Sequence, residues 1–175
     1  KKINSLADIQ GIKLRMHPDK LAVASWTHLG AEVRVLGWTE VYEALGRGIV
    51  EAVNSPAALV EAMKFFERAP NITAHREYEQ SVGYMTNVKA YDGLSAELRD
   101  AVDRAHAGAS HYEQGLLDAD PMASINRLKA KGVTYSDSLD TGPFRERMKA
   151  FYAEQAKNGT LPKGYLDAVA KTRRK

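Results

Sequence analysis

The chain has 175 residues, of which 44% are hydrophobic and 27% are charged, a composition typical of a folded globular protein. It contains no cysteine, which excludes disulfides, thiolate catalysis and cysteine metal sites. No apolar run approaches the ~20 residues of a membrane-spanning helix, so we expect a protein that is not membrane-embedded. The net charge of +3 is smaller than the four positive charges of Lys171 and residues 173–175, so it does not predict a nucleic-acid-binding face.

The first third of the chain alternates short β-like runs with helical segments, which predicts an α/β fold of parallel strands and crossover helices. Strands are predicted at Ile12–Met16, Glu32–Leu36 and Ile49–Val53. The helices between them are predicted at Asp19–His28 and Glu40–Arg47. Gly30 is predicted to end the first of these helices, and Thr39 is predicted to cap the second.

The stretch from Pro56 to Ala69 is predicted to form one helix, because proline suits a first helical turn and Pro70 suits a stop. Apolar residues recur along one face at Leu59, Met63 and Phe66. Extended segments are predicted to follow at Ile72–His75 and Ser81–Thr86.

The strongest helical pattern begins at Ser95, a predicted N-cap. Its apolar stripe contains Leu98, Val102, Ala105, Ala109, Tyr112 and Leu116. A helix continuing to Lys131 would be about 55 Å long, too long for one small core, so we expect it to span two lobes. Pro121 is predicted to kink or break it.

Gly132 is predicted to end this long helix. A strand at Val133–Tyr135 is predicted next, and then helices at 141–158 and 162–172.

Several blocks, taken in order, resemble the solute-binding proteins of tripartite ATP-independent periplasmic (TRAP) transporters, of the dicarboxylate-binding type. Asp8, Gly11, Lys13 and Arg15 are similar to the family pattern D-x-x-G-x-K-x-R. The other similar blocks are Leu29–Ala31, Glu40–Leu45, Gly48–Glu51, Pro56–Glu67, Thr73–His75 and Leu94–Leu98. The resemblance covers nearly the whole chain.

The resemblance implies a periplasmic-binding-protein-like lobe, with a mixed or parallel sheet flanked by helices, plus a long lobe-spanning helix. It assigns residues 1–75 to the ligand-binding core of a second lobe and residues 76–94 to a crossover strand returning toward the first lobe. Residues 95–131 would be the spanning helix, and residues 132–175 a C-terminal strand and helices. Most of the first lobe and the export signal would then lie upstream of Lys1, since the chain begins without a signal peptide.

The implied function is extracytoplasmic capture of a small carboxylate-bearing solute for a TRAP-type membrane permease, without catalysis, cofactor or metal. The family's arginine holds the ligand carboxylate, which assigns that role to Arg15, whose planar fork matches a carboxylate with two parallel bonds. Trp38 occupies the place of an aromatic against the ligand, and Ser55, with Asn54 beside it, the place of a hydrogen-bonding asparagine.

Each of these assignments has a plainer alternative. Arg15 could be a solvated arginine at a strand end, Trp38 a core tryptophan, and Asn54 and Ser55 helix-capping residues. The chain departs from the family pattern near the expected pocket, at Gly46, at Glu51-Ala52 and at Met16-His17, so the resemblance does not carry over the identity of the ligand.

Two other function classes stay open. A stand-alone, non-catalytic interaction or scaffold module would use the long helix and the basic tail. A small α/β hydrolase or isomerase would use His75 and Glu77 as an acid–base pair, although the sequence has no G-x-S-x-G, Walker or dinucleotide motif. The five histidines show no metal-ligand spacing, so no metal site is predicted.

Overall fold

The computed structural model describes residues 1–77, 83, 85–119 and 122–172, with residues 117–119 described by their backbone alone. The chain divides into two compact units. The first unit is Lys1–His75 with Leu128–Lys175, and the second is Arg76–Arg127.

The first unit contains all five described strands and most of the described helices. The strands are β1 (Lys13–Met16), β2 (Glu32–Val35), β3 (Ala52–Val53), β4 (Asn71–Thr73) and β5 (Thr134–Ser136). In chain order the described α-helices are α1 (Lys20–Leu29), α2 (Val41–Gly46), α3 (Ala57–Ala62), α4 (Val88–Asp92), α5 (Ala96–Ala119), α6 (Ala123–Ala130), α7 (Gly142–Lys157) and α8 (Tyr165–Thr172). Short 3-10 helices occur at Leu6–Ile9, Trp38–Glu40 and Phe65–Glu67.

The strands form two parallel sheets, one of order β2-β1-β3 and one of β4-β5. In the three-stranded sheet Arg15 is in register with Arg34 on one side and with Val53 on the other. Because parallel strands end on the same side of a sheet, the segments that follow β1, β2 and β3 emerge along one edge. This confirms the predicted α/β fold with parallel strands flanked by helices.

Helix α1 has the ends that the sequence predicts. The Asp19 side chain accepts a hydrogen bond of 2.7 Å from the Ala22 N–H at the start of the helix. Gly30 ends the helix in a left-handed conformation, with φ of 109°. A Cβ at this position would lie 2.3 Å from the end of the Gln10 side chain, which would have to move, so the left-handed backbone is the stronger reason for glycine here.

Two buried clusters pack against the three-stranded sheet and the helices around it. The first contains Ile9, Ile12, Leu14, Met16, Trp26, Leu29, Ala31, Met148 and Phe151. The second contains Val41, Ala44, Leu45, Val50, Val60, Phe65, Leu128 and Val133. Leu14 and Met16 on β1 point into the first cluster. Because side chains alternate along a strand, Arg15 lies on the opposite face of the sheet, toward the second cluster, against which Val53 packs.

The predicted capping of the second helix by Thr39 is wrong. A 3-10 turn, Trp38–Glu40, precedes α2, and Glu40 is the N-cap residue of that helix. The Glu40 carboxylate instead accepts a hydrogen bond of 2.8 Å from the Gly37 N–H, which stabilises the turn that carries Trp38.

The predicted single helix from Pro56 to Ala69 is also wrong. Helix α3 ends at Ala62, and Lys64 takes a left-handed conformation with φ of 56° before the 3-10 turn that begins at Phe65. The reversal places Phe65, which is 1% exposed, in the second cluster. A continuous helix could not bury Val60 and Phe65 on one face, because a spacing of five residues separates them around the helix by more than a quarter turn.

The second unit is helical in its described residues. The Ser95 hydroxyl accepts a hydrogen bond of 3.2 Å from the Leu98 N–H, which confirms the predicted N-cap of α5. The larger apolar side chains of the predicted stripe are exposed: Leu98, Val102, Tyr112 and Leu116. The predicted kink at Pro121 and half of the predicted segment Ser81–Thr86 lie outside the described residues. Among the helices that are described, none has the length and apolarity to cross a membrane.

Candidate ligand-binding site

The predicted site residues lie near the carboxyl edge of the three-stranded sheet. Arg15 is the third residue of β1, the central strand, and Trp38 opens the turn that follows β2. Asn54 and Ser55 directly follow β3 on the other side of β1. The topology therefore brings the segments that carry all four residues to one edge, the place where α/β sheets bind ligands.

Arg15 is buried, with 5% of its surface exposed. Its Nε and Nη2 atoms both donate hydrogen bonds to the Leu36 carbonyl, at 3.1 and 2.8 Å. Burial lowers the pKa of the Arg15 guanidinium from its usual value. An arginine side chain nonetheless stays protonated near neutral pH, so the buried group carries a positive charge.

Within the described part of the chain, Arg15 has no carboxylate partner. The neighbouring Arg34, by contrast, is exposed and forms an ion pair with Glu32. A buried charge without a counter-charge is costly, and a guanidinium has five N–H donors, of which the Leu36 carbonyl engages only two. The arrangement is therefore suited to receiving an anion, and the alternative of a solvated Arg15 is wrong.

Trp38 is half-buried and lies against Arg15. The guanidinium carbon is 5.2 Å from the centroid of the indole ring, within the range of a cation–π interaction. Phe65 meets the same indole edge-on, with centroids 5.1 Å apart and planes at 68°. Trp38 thus both packs on the core and contacts the positive charge, so the two interpretations of this residue are compatible.

Asn54 and Ser55 line a cavity of about 190 Å³ in the first unit. Pro56, not Asn54 or Ser55, is the N-cap residue of α3, and the Ser55 hydroxyl donates instead to the Pro56 carbonyl at 3.3 Å. Neither Arg15 nor Trp38 is among the described residues that line this cavity. The structure therefore brings Arg15 and Trp38 into contact and places the asparagine and serine one strand away.

Two contributors to the site were not predicted from the sequence. The Leu36 carbonyl is a main-chain group, which no side-chain pattern reveals. Phe65 was assigned to a helix whose predicted apolar face did not include it.

His75, the candidate acid–base residue of the hydrolase alternative, lies edge-on to the Trp26 ring at 5.7 Å.

Comparison with known proteins identifies one family. The sequence profile described as bacterial extracellular solute-binding protein, family 7 (DctP), matches residues 1–158. A solute-binding protein of Roseobacter denitrificans is 30% identical over 148 residues, which are 84% of this chain and 45% of the relative. The C4-dicarboxylate-binding periplasmic protein DctP of Rhodobacter capsulatus is 27% identical over 127 residues, or 73% of this chain and 38% of the relative.

Solved structures show the same similarity. A TRAP periplasmic solute-binding protein of Roseobacter denitrificans with bound L-galactonate has a TM-score of 0.77 and 30% identity, covering 86% of this chain and 50% of that one. One from Desulfovibrio salexigens, in complex with diglycerolphosphate, has a TM-score of 0.81 at 22% identity, covering 98% and 54%, and shows the shared fold. The chain spans less than half the length of either curated relative.

Proposed function

The chain belongs to bacterial extracellular solute-binding protein family 7, and from this premise we propose that it captures a small carboxylate-bearing solute for a TRAP-type membrane permease. Binding, not catalysis, is the proposed activity, and its place is outside the cytoplasm. The relatives' names support this assignment, since they include binding proteins for C4-dicarboxylates, 2,3-diketo-L-gulonate and sialic acid.

The observation that carries the proposal is the buried, positively charged Arg15 without a carboxylate partner among the described residues. The Leu36 carbonyl occupies the Nε side of the guanidinium. The N–H groups at its tip, on Nη1 and Nη2, are the ones that we propose for the ligand. A carboxylate approaching end-on can accept two parallel charge-assisted hydrogen bonds there.

The remaining site residues have proposed roles that follow from their chemistry. The half-buried Trp38 ring covers the apolar body of the ligand while Arg15 holds the acid group. Asn54 and Ser55 supply hydrogen bonds to hydroxyl or carbonyl oxygens of the ligand from the adjacent strand end.

We propose the two-lobe organisation as well, because the relatives are about twice as long as this chain. Residues 1–75 then form the ligand-binding core of one lobe, and residues 76–94 cross toward the other. Residues 95–131 span both lobes, and residues 132–175 complete the sheet and its helices. A ligand that contacts both lobes only when they are closed shifts the equilibrium toward closure.

A thermal-shift screen of organic acids on the longest natural form of the protein tests the proposal. D-glucuronate and D-glucose are a matched pair, because they differ in a carboxylate against a hydroxymethyl group. L-galactonate, D-galacturonate and C4-dicarboxylates complete the panel. A true ligand at 100 times its Kd adds about 2.7 kcal/mol to the free energy of unfolding. If no acid raises the melting temperature more than its neutral counterpart, the assignment to carboxylates is wrong.

A second candidate function rests on the exposed apolar stripe of α5. Leu98, Val102, Tyr112 and Leu116 are each about half exposed or more, which favours contact with another polypeptide segment. An interaction module would lose its partner when Leu98 and Leu116 are replaced by glutamine. Sedimentation analysis of wild type and this variant tests the contact with a partner, and the acid screen tests solute binding. Together the two measurements separate the two functions.

A further inference from the structure

Phe65 lies 27 residues after Trp38 in the sequence but packs against the Trp38 ring in space. It is the first residue of the 3-10 turn Phe65–Glu67, and Lys64 before it is left-handed, with φ of 56°. With 1% of its surface exposed, Phe65 is among the most buried large side chains of the described residues.

The Trp38 ring contacts both the Phe65 ring and the Arg15 guanidinium. Phe65 packs against it with centroids 5.1 Å apart and planes at 68°, and the Arg15 guanidinium lies over it at 5.2 Å. Trp38 itself is only half-buried, so complete enclosure does not fix the tilt of its ring. The fully enclosed Phe65 ring is the rigid surface against which that tilt is set.

The Arg15 guanidinium therefore has two supports. One is the Leu36 carbonyl, fixed by the end of β2, which accepts from Nε and Nη2. The other is the face of Trp38. Movement of the Trp38 ring would remove the second support. The hydrogen bonds from Arg15 to the Leu36 carbonyl would then open more often, and the N–H groups at the tip of the guanidinium would turn away from a ligand.

We infer that Phe65 is a positioning residue for the anion-binding guanidinium of Arg15 and acts through the ring of Trp38. This inference rests on the proposed function, in which Arg15 binds the ligand carboxylate. It is distinct from a general role in the core, which any equally buried residue of the second cluster would share.

The experiment compares Phe65→Leu with Leu128→Val in the full chain. Leu128 is a matched control, because it is also 1% exposed and belongs to the same cluster. The first measurement needs no ligand: hydrogen exchange of the Arg15 Nε–H by ¹⁵N NMR, with the signal assigned by its loss in Arg15→Lys. We expect exchange to be about three- to tenfold faster in Phe65→Leu and changed less than twofold in Leu128→Val.

A double-mutant cycle tests whether the effect passes through Trp38. In a Trp38→Leu background, Phe65→Leu should add no further increase in the Arg15 Nε–H exchange rate. Three results for the Arg15 Nε–H exchange rate would each overturn the inference. Phe65→Leu could have no effect, it could have the same effect as Leu128→Val, or it could have the same effect with Trp38 present and with Trp38 replaced. If Phe65→Leu does not fold, Phe65→Met, whose unbranched and flexible side chain adapts more easily to the space of the ring, takes its place.

The second measurement is the Kd for D-glucuronate by calorimetry, which should rise about three- to tenfold in Phe65→Leu only. If wild-type protein binds no acid while the exchange result holds, the proposed function has failed and the positioning role has not. If wild-type protein binds the acid but the exchange rates and the Kd are unchanged in Phe65→Leu, the positioning role has failed alone.

Discussion

Arg15 reaches from the central strand to the segment after β2, where its guanidinium carbon lies 5.2 Å from the centroid of the Trp38 ring. The same guanidinium donates twice to the carbonyl of Leu36, two residues before that ring. A positive charge is thus held between a strand end and an aromatic face, without a carboxylate partner in the described residues. Replacing Arg15 should therefore change acid affinity and the free energy of unfolding more than replacing a surface arginine does.

Replacing Arg15 should remove acid binding. In Arg15→Ala the ligand carboxylate loses its buried partner, an effect of roughly 3 to 5 kcal/mol. Arg15→Lys should also weaken binding, since an ammonium keeps the charge but lacks the planar fork. Calorimetry with the best acid from the screen measures both. Arg34→Lys is the matched control, because Arg34 lies beside Arg15 in register but is exposed and paired with Glu32. A loss of affinity in Arg34→Lys equal to that in Arg15→Lys would contradict the prediction.

Replacing Arg15 by an apolar side chain should have the opposite effect on stability. Arg15→Met removes a buried charge that lacks a counter-charge and fills a similar volume, so the free energy of unfolding without ligand should rise by about 1 kcal/mol. Urea titration of the ligand-free protein measures it. A fall of similar size would indicate that the bonds from Arg15 to Leu36 outweigh the cost of burial.

The Trp38 ring should contribute to binding in proportion to its aromatic face. Trp38→Phe keeps a ring near the guanidinium, whereas Trp38→Leu keeps only apolar bulk, so we expect affinity to fall in the order Trp, Phe, Leu. The full loss should be on the order of 1 to 2 kcal/mol. Calorimetric Kd values for the three proteins test this order, and equal affinities of the Phe and Leu variants would show that the ring electrons do not matter.

A negative charge at residue 54 should oppose an acidic ligand. Asn54→Asp is nearly isosteric and places a carboxylate directly after β3, the strand next to Arg15. We expect Asn54→Asp to weaken the binding of acids. The loss of affinity should be smaller at high salt, because screening reduces the repulsion between the two carboxylates. Asn71→Asp is the matched control, since Asn71 lines the same cavity but lies on β4. Equal losses in both variants would argue against a ligand beside Asn54.

The N-terminal turn should lose stability in acid through Asp8. Its carboxylate accepts hydrogen bonds of 3.0 Å from the N–H groups of Asn4 and Ser5 and from the Ser5 hydroxyl. These bonds, that from the Asn4 N–H first, lower the pKa of Asp8 below its ordinary value of 3.8. A lowered folded-state pKa stabilises the fold above the unfolded-state pKa, and this contribution is lost as the pH falls through the folded-state pKa.

Urea titrations of wild type and Asp8→Asn across this range test the sign. The difference in unfolding free energy should be largest near neutral pH and should vanish in strong acid. A difference that is independent of pH would assign the effect to the shape of the side chain and not to its charge.

The sequence predicted the parts of the fold that follow from local pattern. Alternation of β-like and helical runs predicted the parallel strands, and Gly30 and Ser95 marked helix ends that the structure confirms. The family resemblance singled out Arg15 and Trp38, which the structure places in contact. Their roles toward a ligand stay predictions.

The features that sequence reasoning missed depend on contacts between distant segments. The helix predicted at Pro56–Ala69 is broken because burying Phe65 against Trp38 requires Lys64 to reverse the backbone, a preference that lysine alone does not have. The predicted apolar face of that helix, which contained Leu59 and Phe66, does not include Phe65, the residue of this stretch that the structure buries most. Burial of a residue by its tertiary neighbours overrode a local periodicity that was itself clear.

The acceptor that anchors Arg15 has a consequence for how this protein can change over generations. The Leu36 oxygen belongs to the main chain, and all twenty amino acids, proline included, carry that carbonyl. Substitution at residue 36 therefore cannot delete the acceptor, although it can alter the packing around it. The contact with the guanidinium therefore depends on the path of the backbone at residue 36 and not on the identity of the side chain there.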